Sequence, residues 1–171
     1  MAYTVQDTFL GYPKITATST APWVGGGANT TPPLGTVVRA TDPTYGAGEF
    51  IYLKGVASTA IGSWVTFNDD DYSTALLAAN AIGPVAVAMS ANVANQYGWY
   101  QIRGKAIALC LAGFVDNANV YATATAGSVD DAVVAGDRVK NAKGASAIGT
   151  PSGSFAEFEI DYPSMDDGLA A

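Results

Sequence analysis

Carboxylates are the groups of this chain whose spacing comes closest to a catalytic or metal-binding pattern. The run Asp69-Asp70-Asp71 places three consecutive carboxylates in a turn, where they could share a hard cation such as Ca²⁺. The run lacks the alternating ligands of an EF-hand loop. We therefore interpret it as a solvated turn in which one residue caps the segment that follows.

A second pair of carboxylates, Glu157 and Glu159, lies two residues apart on one face of a predicted strand. A paired-carboxylate site of the glycosidase kind needs an opposing acid of raised pKa in a cleft. Nothing in the sequence marks such an acid. We expect these glutamates to belong to the wet face of a sheet.

Other catalytic groups are scarce. The chain has no histidine and one cysteine, so a Ser/His/Asp triad is impossible and general acid–base chemistry near neutral pH lacks its commonest residue. The glycines at 25–27 lack the Gly-Lys-Ser/Thr ending of a phosphate loop. The composition predicts a protein that is not an enzyme and that uses no metal and no cofactor.

The charge balance bears on partners and location. Fifteen acidic residues against 8 basic ones give a net charge of −7, which disfavours nucleic acid and anionic lipid as partners. The N-terminus lacks the pattern of a secretory signal, and no stretch is apolar enough to span a bilayer. We expect a protein made in a cytoplasm, with Cys110 as a small buried hydrophobe.

Composition divides the chain into three parts: an extended N-terminal arm (1–34), a β body (35–162) and an acidic C-terminal tail (163–171). Prolines and a glycine triplet favour an extended path for the arm, yet it is too apolar for a disordered tail. Two alternatives remain open at this point. The arm docks on a neighbouring subunit, or it folds back on its own body.

The sequence of the body predicts an all-β, antiparallel fold, either a sandwich or a barrel-like sheet, because short β-like runs alternate with turn residues. Residues 119–140, with glycine at the turns, predict a hairpin or meander. Only 72–82 is compatible with a helix, with Asp71 as its N-cap. The predicted strands are 36–40, 49–54, 64–67, 84–89, 98–111, 119–125 and 154–162.

The run 98–111 is long enough for one bent strand or for two. Gln101, Arg103 and Lys105 share a polar face that becomes apolar from Ile107, so we expect a bend or bulge near Gly104. The strand would then pass from a half-exposed sheet into a buried position. The two cations would meet either an acidic partner surface or the acidic face of 157–161.

Several of these segments also resemble the head decoration (cement) proteins of tailed bacteriophages. The resemblance covers roughly residues 35–163. It is carried by the segments 98–106 (GWYQIRGKA), 120–127, 131–136 and 147–150, together with 48–53 and 160–163.

The resemblance implies a structural virion protein with a jelly-roll or β-tulip-like body. It implies that the protein sits on the outer surface of the capsid, as a trimer or other small homo-oligomer, and clamps neighbouring major capsid proteins. On this hypothesis the arm anchors are Phe9, Tyr12, Ile15 and Trp23. The residues expected in the core or the oligomer interface are Trp64, Trp99, Tyr100 and Arg103.

An alternative hypothesis is a carbohydrate- or receptor-binding β module of a phage tail or fibre. Such a module predicts a solvent-exposed Trp64 or Trp99 that stacks on a sugar.

Overall fold

The computed structural model describes residues 4–5, 12–20 and 31–166, which form twelve strands and no helix. The strands make one curled antiparallel sheet, a half-barrel, and the predicted all-β, barrel-like fold is confirmed. The strands are β1 (Thr4–Val5), β2 (Thr18–Ser19), β3 (Val37–Asp42), β4 (Gly46–Lys54), β5 (Trp64–Phe67), β6 (Thr74–Leu76), β7 (Val85–Ala88), β8 (Tyr97–Leu109), β9 (Asn119–Ala122), β10 (Val129–Asp130), β11 (Arg138–Gly144) and β12 (Phe155–Met165).

Strand β8 is the centre of the fold. The main path of the sheet runs β1-β3-β4-β8-β12-β11-β9-β10, and β2 and β7 also pair with β8. The first half of β8 pairs with β4 and, around Gln101, with β7. Its second half pairs with β12, from Arg103 to Leu109. The strand therefore changes neighbours midway along its length.

The change of neighbours coincides with the predicted bend. The register of β8 against β4 slips by one residue next to Glu49, which leaves Ile102 as the extra residue of a bulge. Gly104 follows with φ +102, and a Cβ there would lie 2.5 Å from the carbonyl oxygen of Ala47. Glycine is needed here because β4 crosses β8 too closely for a side chain.

The predicted burial change along β8 is correct for the end of the strand and wrong for its start. Residues 106–108 are buried as expected and Arg103 is exposed, whereas residues 98–102, expected to be half-exposed, are buried on both faces. Gln101, expected on a half-exposed face, is fully buried. The reason is that β7 and the N-terminal segment cover the first half, which no pattern within 98–111 could show.

The helix at 72–82 is also wrong. Thr74–Leu76 forms β6, which pairs antiparallel with β5, and the chain then turns through Asn80 with φ +61. Tyr72, at the expected helix start, has φ +55, which no α-helix accommodates. Pairing with β5 outweighs the helix preference of the alanine and leucine residues.

The body extends past its predicted boundary at residue 162. β12 continues to Met165, whose side chain is buried and which pairs with Val139 of β11. Pro163 is buried as well. The first residues assigned to the acidic tail are thus part of the sheet, because β11 provides them with a partner strand.

The core comprises three clusters that meet at β8. Trp99 contributes to a cluster with Phe50 and Tyr52. Tyr100, on the opposite face, packs in the cluster of β5 and β7. The second half of β8 contributes Ala106, Ala108 and the neighbouring Cys110 to the largest cluster. Cys110 is a free, buried thiol whose pKa is raised to about 11, mainly by burial.

The crossing at Gly104 is testable with a matched pair of variants. Gly104 and Gly113 both have φ +102, but a Cβ on Gly113 has no atom within 4 Å. Gly113→Ala should therefore cost about 1 kcal/mol, from backbone strain alone. Gly104→Ala should cost at least about 2 kcal/mol more, because the new methyl group meets the backbone of β4.

Urea unfolding of both variants measures this difference in the free energy of unfolding. Equal losses would show that the close crossing of β4 and β8 does not constrain position 104.

Candidate functional site

The aromatic residues that the sequence analysis singled out in the β body lie in the interior. Trp64, Trp99 and Tyr100 are all 0% exposed. The indole of Trp64 donates a hydrogen bond to the carbonyl of Leu109 at 3.2 Å, and that of Trp99 donates to the carbonyl of Pro13 at 3.1 Å. These side chains hold the body together, and none of them presents a surface to a partner.

The described part of the N-terminal segment packs on its own body. Ile15 is buried in the cluster of Trp99, and the ring of Tyr12 lies 6.1 Å from that of Trp99. β2 adds to the edge of β8 through Thr18 and Ser19. Of the two alternatives for the arm, residues 12–20 follow the second, since they fold back. Phe9 and Trp23 lie outside the described residues.

A polar contact that the sequence did not suggest fixes this segment. Asn92 is fully buried, and its Oδ1 accepts hydrogen bonds from Thr18 at 2.9 Å and Ser90 at 2.8 Å. Gly55 and Gly98 leave room for it, because a Cβ on either glycine would lie within 2.4 Å of an Asn92 atom. The buried amide therefore selects one position for β2.

Ile15→Ala tests this docking. We expect a loss of about 3 kcal/mol in the free energy of unfolding, because the change opens a cavity beside Trp99. The exposed Ile82 supplies the control, and Ile82→Ala should change stability by less than about 0.5 kcal/mol. Denaturant melts of the two variants decide. If Ile15→Ala leaves the free energy of unfolding unchanged, the segment does not contribute to the core.

The densest group of charges surrounds one buried carboxylate, Glu49, which is 6% exposed. Its Oε1 accepts from Arg39 at 3.0 Å and from Arg103 at 3.2 Å. Its Oε2 accepts from the hydroxyl of Tyr162. The guanidinium of Arg103 also reaches Asp161 at 3.0 Å. We call these five residues the Glu49 cluster.

The Glu49 cluster spans four strands that are adjacent in the sheet. Arg39 lies on β3, Glu49 on β4, Arg103 on β8, and Asp161 and Tyr162 on β12. All of them except Tyr162 line an open cleft of ≈ 580 Å³ where β8 bends at Gly104. Tyr162 itself has φ +50, at the point where β12 leaves β8.

The electrostatics of the cluster favour an ion pair over proton transfer. Hydrogen bonds from Tyr162, then from Arg103, hold the pKa of Glu49 below its ordinary value of 4.5 despite its desolvation. The same bond to Glu49 raises the pKa of the Tyr162 phenol. Both shifts move these groups away from neutral pH, whereas a general acid or base works best with a pKa near the working pH.

The remaining sequence candidates form local contacts. Lys105 pairs with Glu157 at 2.9 Å, so of the two alternatives for this face the structure shows intramolecular pairing. Glu159 pairs with Lys143 at 3.2 Å. Asp71 accepts hydrogen bonds from the backbone and hydroxyl of Ser73, which makes it the cap of a turn.

Across the described ranges, no three histidine, cysteine, aspartate or glutamate side chains converge in a way that could hold a metal ion. In the same residues there is no helix long and apolar enough to cross a membrane. Comparison with known proteins brings no further information, since no family model, curated protein or solved structure matches the chain.

The Glu49 cluster was missed by sequence reasoning, although a signal existed. β3 and β4 form a hairpin, and its register places Arg39 directly opposite Glu49. An opposite-charge pair at facing positions of a hairpin stabilises the pairing of its strands. The burial of Glu49 could not be foreseen, because it depends on β12.

Glu49→Gln should lower the free energy of unfolding by about 2 kcal/mol at pH 7, since it removes a charge that three donors share. The pKa of Glu49 is lower in the folded state, so its stabilising contribution is present above 4.5 and is lost as the pH falls through the folded value. The difference between wild type and Glu49→Gln should therefore shrink below pH 4.5.

Urea melts at pH 7 and at about pH 3 measure both effects. The matched control is Glu159→Gln in the exposed pair with Lys143, which should cost less than about 0.5 kcal/mol. A difference between wild type and Glu49→Gln that does not depend on pH would contradict the assigned ion pair.

Proposed function

We propose that the chain is a structural virion protein that binds the outer surface of a phage capsid and clamps neighbouring major capsid proteins, thereby stabilising the head. The observation that carries the proposal is the placement of the apolar side chains that stay exposed. Most lie in loops between the strands of the β body. Binding residues are found disproportionately on such loops, because a rigid scaffold holds them in position. These are Ile61, Ile82, Val93, Val115, Val133 and Val134.

The ionisable groups support the same role. The charged side chains of β8 and β12 are used in ion pairs between strands, as Lys105–Glu157 and Lys143–Glu159 illustrate. A body braced in this way keeps its shape when it is bound at several points. A clip that binds only the assembled shell stabilises that shell by mass action, and many copies act together.

The clamp acts through the body in this proposal. Residues 12–20 pack on the body of their own chain, so the side chains of Tyr12 and Ile15 already contact that body. Deleting residues 2–24, which would test a free arm, would also remove Ile15 from the core. Phe9 and Trp23 stay hypothetical anchors, and assembly into a homotrimer or other small oligomer stays part of the proposal.

The carbohydrate-binding alternative receives less support. It needs an aromatic platform on the surface, and the two tryptophans proposed for that purpose, Trp64 and Trp99, are buried. An exposed tyrosine, Tyr162, donates its hydroxyl to Glu49 and belongs to the Glu49 cluster.

The copy number of the chain in purified virus particles tests the proposal. We expect the chain in a simple whole-number ratio to the major capsid protein, because a clip occupies equivalent sites on a symmetric lattice. Quantitative mass spectrometry against the major capsid protein gives this ratio.

A few copies per particle would place the protein in the tail or fibre instead. Absence from the particle would refute the virion assignment.

A further inference from the structure

The connection between β10 and β11 ends in an exposed apolar tip. Residues 132–135, Ala-Val-Val-Ala, are all exposed, and Val133, at 80%, is the most exposed large apolar side chain in the described ranges. A run of four exposed apolar residues is unfavourable for solubility and is retained in folded proteins mainly for function. We therefore expect the tip to bind a partner.

The tip is held in place before any partner binds. β10 and β11 both pair with β9, which fixes the two ends of the connection. The backbone N–H of Asp137 donates to the carbonyl of Val134 at 3.2 Å, and the Asp137 carboxylate accepts from the backbone of Asn80. Valine also has few rotamers to lose. The cost of ordering this surface on binding is consequently small.

A neighbouring loop adds a third valine. The backbone N–H of Val115 donates to the Asp131 carboxylate at 3.0 Å, which ties that loop to the base of the tip. Val115 is itself exposed. We call Val115, Val133 and Val134 the tip patch.

The surroundings of the tip patch are acidic. Asp116, Asp130 and Asp131 flank the three valines in sequence, and there is no lysine or arginine from residue 106 to residue 137. The first cation beyond the tip, Arg138, donates to Asn119. At physiological salt, charges within about 8 Å of the surface still act on a partner.

The negative charge around the tip patch discriminates among its possible binding partners. An anionic lipid surface would be repelled. A second copy of the chain offers its own acidic tip, or the cleft beside Ile82, which is lined by Asp69 with Asp70 and Asp71 next in sequence. It also offers the cleft of the Glu49 cluster, where Arg39 and Arg103 are already paired with carboxylates and three carboxylates outnumber the two arginines. Like charges placed together across an interface cost affinity. A protein surface with an apolar depression and a rim of lysine or arginine fits both features.

We propose that the tip patch docks into an apolar, basic-rimmed depression on the capsid shell. The identification of the shell as the partner rests on the proposed function. The valines would provide the buried contact, and the aspartates would provide attraction and orientation.

The test uses shells assembled without this chain and the full-length purified protein, with binding measured by co-sedimentation. The double variant Val133→Ser/Val134→Ser should weaken binding about 10-fold or more, because two valines lose their apolar contact. The matched control is Val37→Ser, an exposed valine on β3 that is not among the loop side chains assigned to the contact surface, which should bind within about 2-fold of wild type. Unchanged thermal unfolding of both variants shows that they fold.

A charge variant gives an independent measure. Asp116→Asn keeps an acceptor for the backbone of Asn117 and removes one negative charge. It should weaken binding at low salt and reduce the dependence of binding on salt.

The outcomes separate the two proposals. Loss of binding in the double variant with an intact control supports docking through the tip patch. If wild type and both valine variants bind equally, the tip assignment is wrong and the proposed function stands. If wild type does not bind, both fail. Binding of wild type to phosphatidylglycerol vesicles, or self-association that the double variant abolishes, would overturn the assigned occupant.

Discussion

The whole fold depends on the close crossing of β4 and β8 at Gly104. Because Gly104 has no side chain, the start of β4 lies directly against β8. β8 can therefore bend, and along one edge its pairing partner changes from β7 to β12. One strand thereby contributes to three core clusters. A sheet that curls into a half-barrel needs such a corner, and a bulge followed by glycine is the usual way to make it.

The corner determines where polar side chains are buried. Gln101 lies inside it, and its amide donates to the carbonyls of Arg103 and Lys105, on either side of Gly104. Glu49 lies on the cleft side and holds two guanidinium groups and a phenol. Buried polar groups are tolerated when they are paired, and paired groups select one geometry over its alternatives. The two residues thus help to fix the angle at which β8 bends.

Local patterns predicted the strands well and the environment of each strand poorly. The runs 36–40, 49–54, 64–67 and 154–162 are found as β3, β4, β5 and β12, because alternation and β-branched residues act within a single strand. The helix at 72–82 failed because β5 provides a partner strand to Thr74–Leu76. Gln101 and Glu49 were misjudged or missed for a related reason. Their burial comes from β7, the N-terminal segment and β12, which are distant in sequence.

The distribution of side chains carries the functional argument further than any single motif. Inside, the chain keeps Glu49, Asn92 and Gln101 at junctions between strands, each with at least one hydrogen bond, while the Asn92 Nδ2 and the Gln101 Oε1 have no partner among the described residues. Outside, it keeps valines and isoleucines in loops, at a cost in solubility. Interior polar pairs favour one rigid shape, and rigid apolar loops lower the entropy lost on contact. The proposed clamp across a capsid lattice would need both features, because it would bind a preformed surface at fixed points.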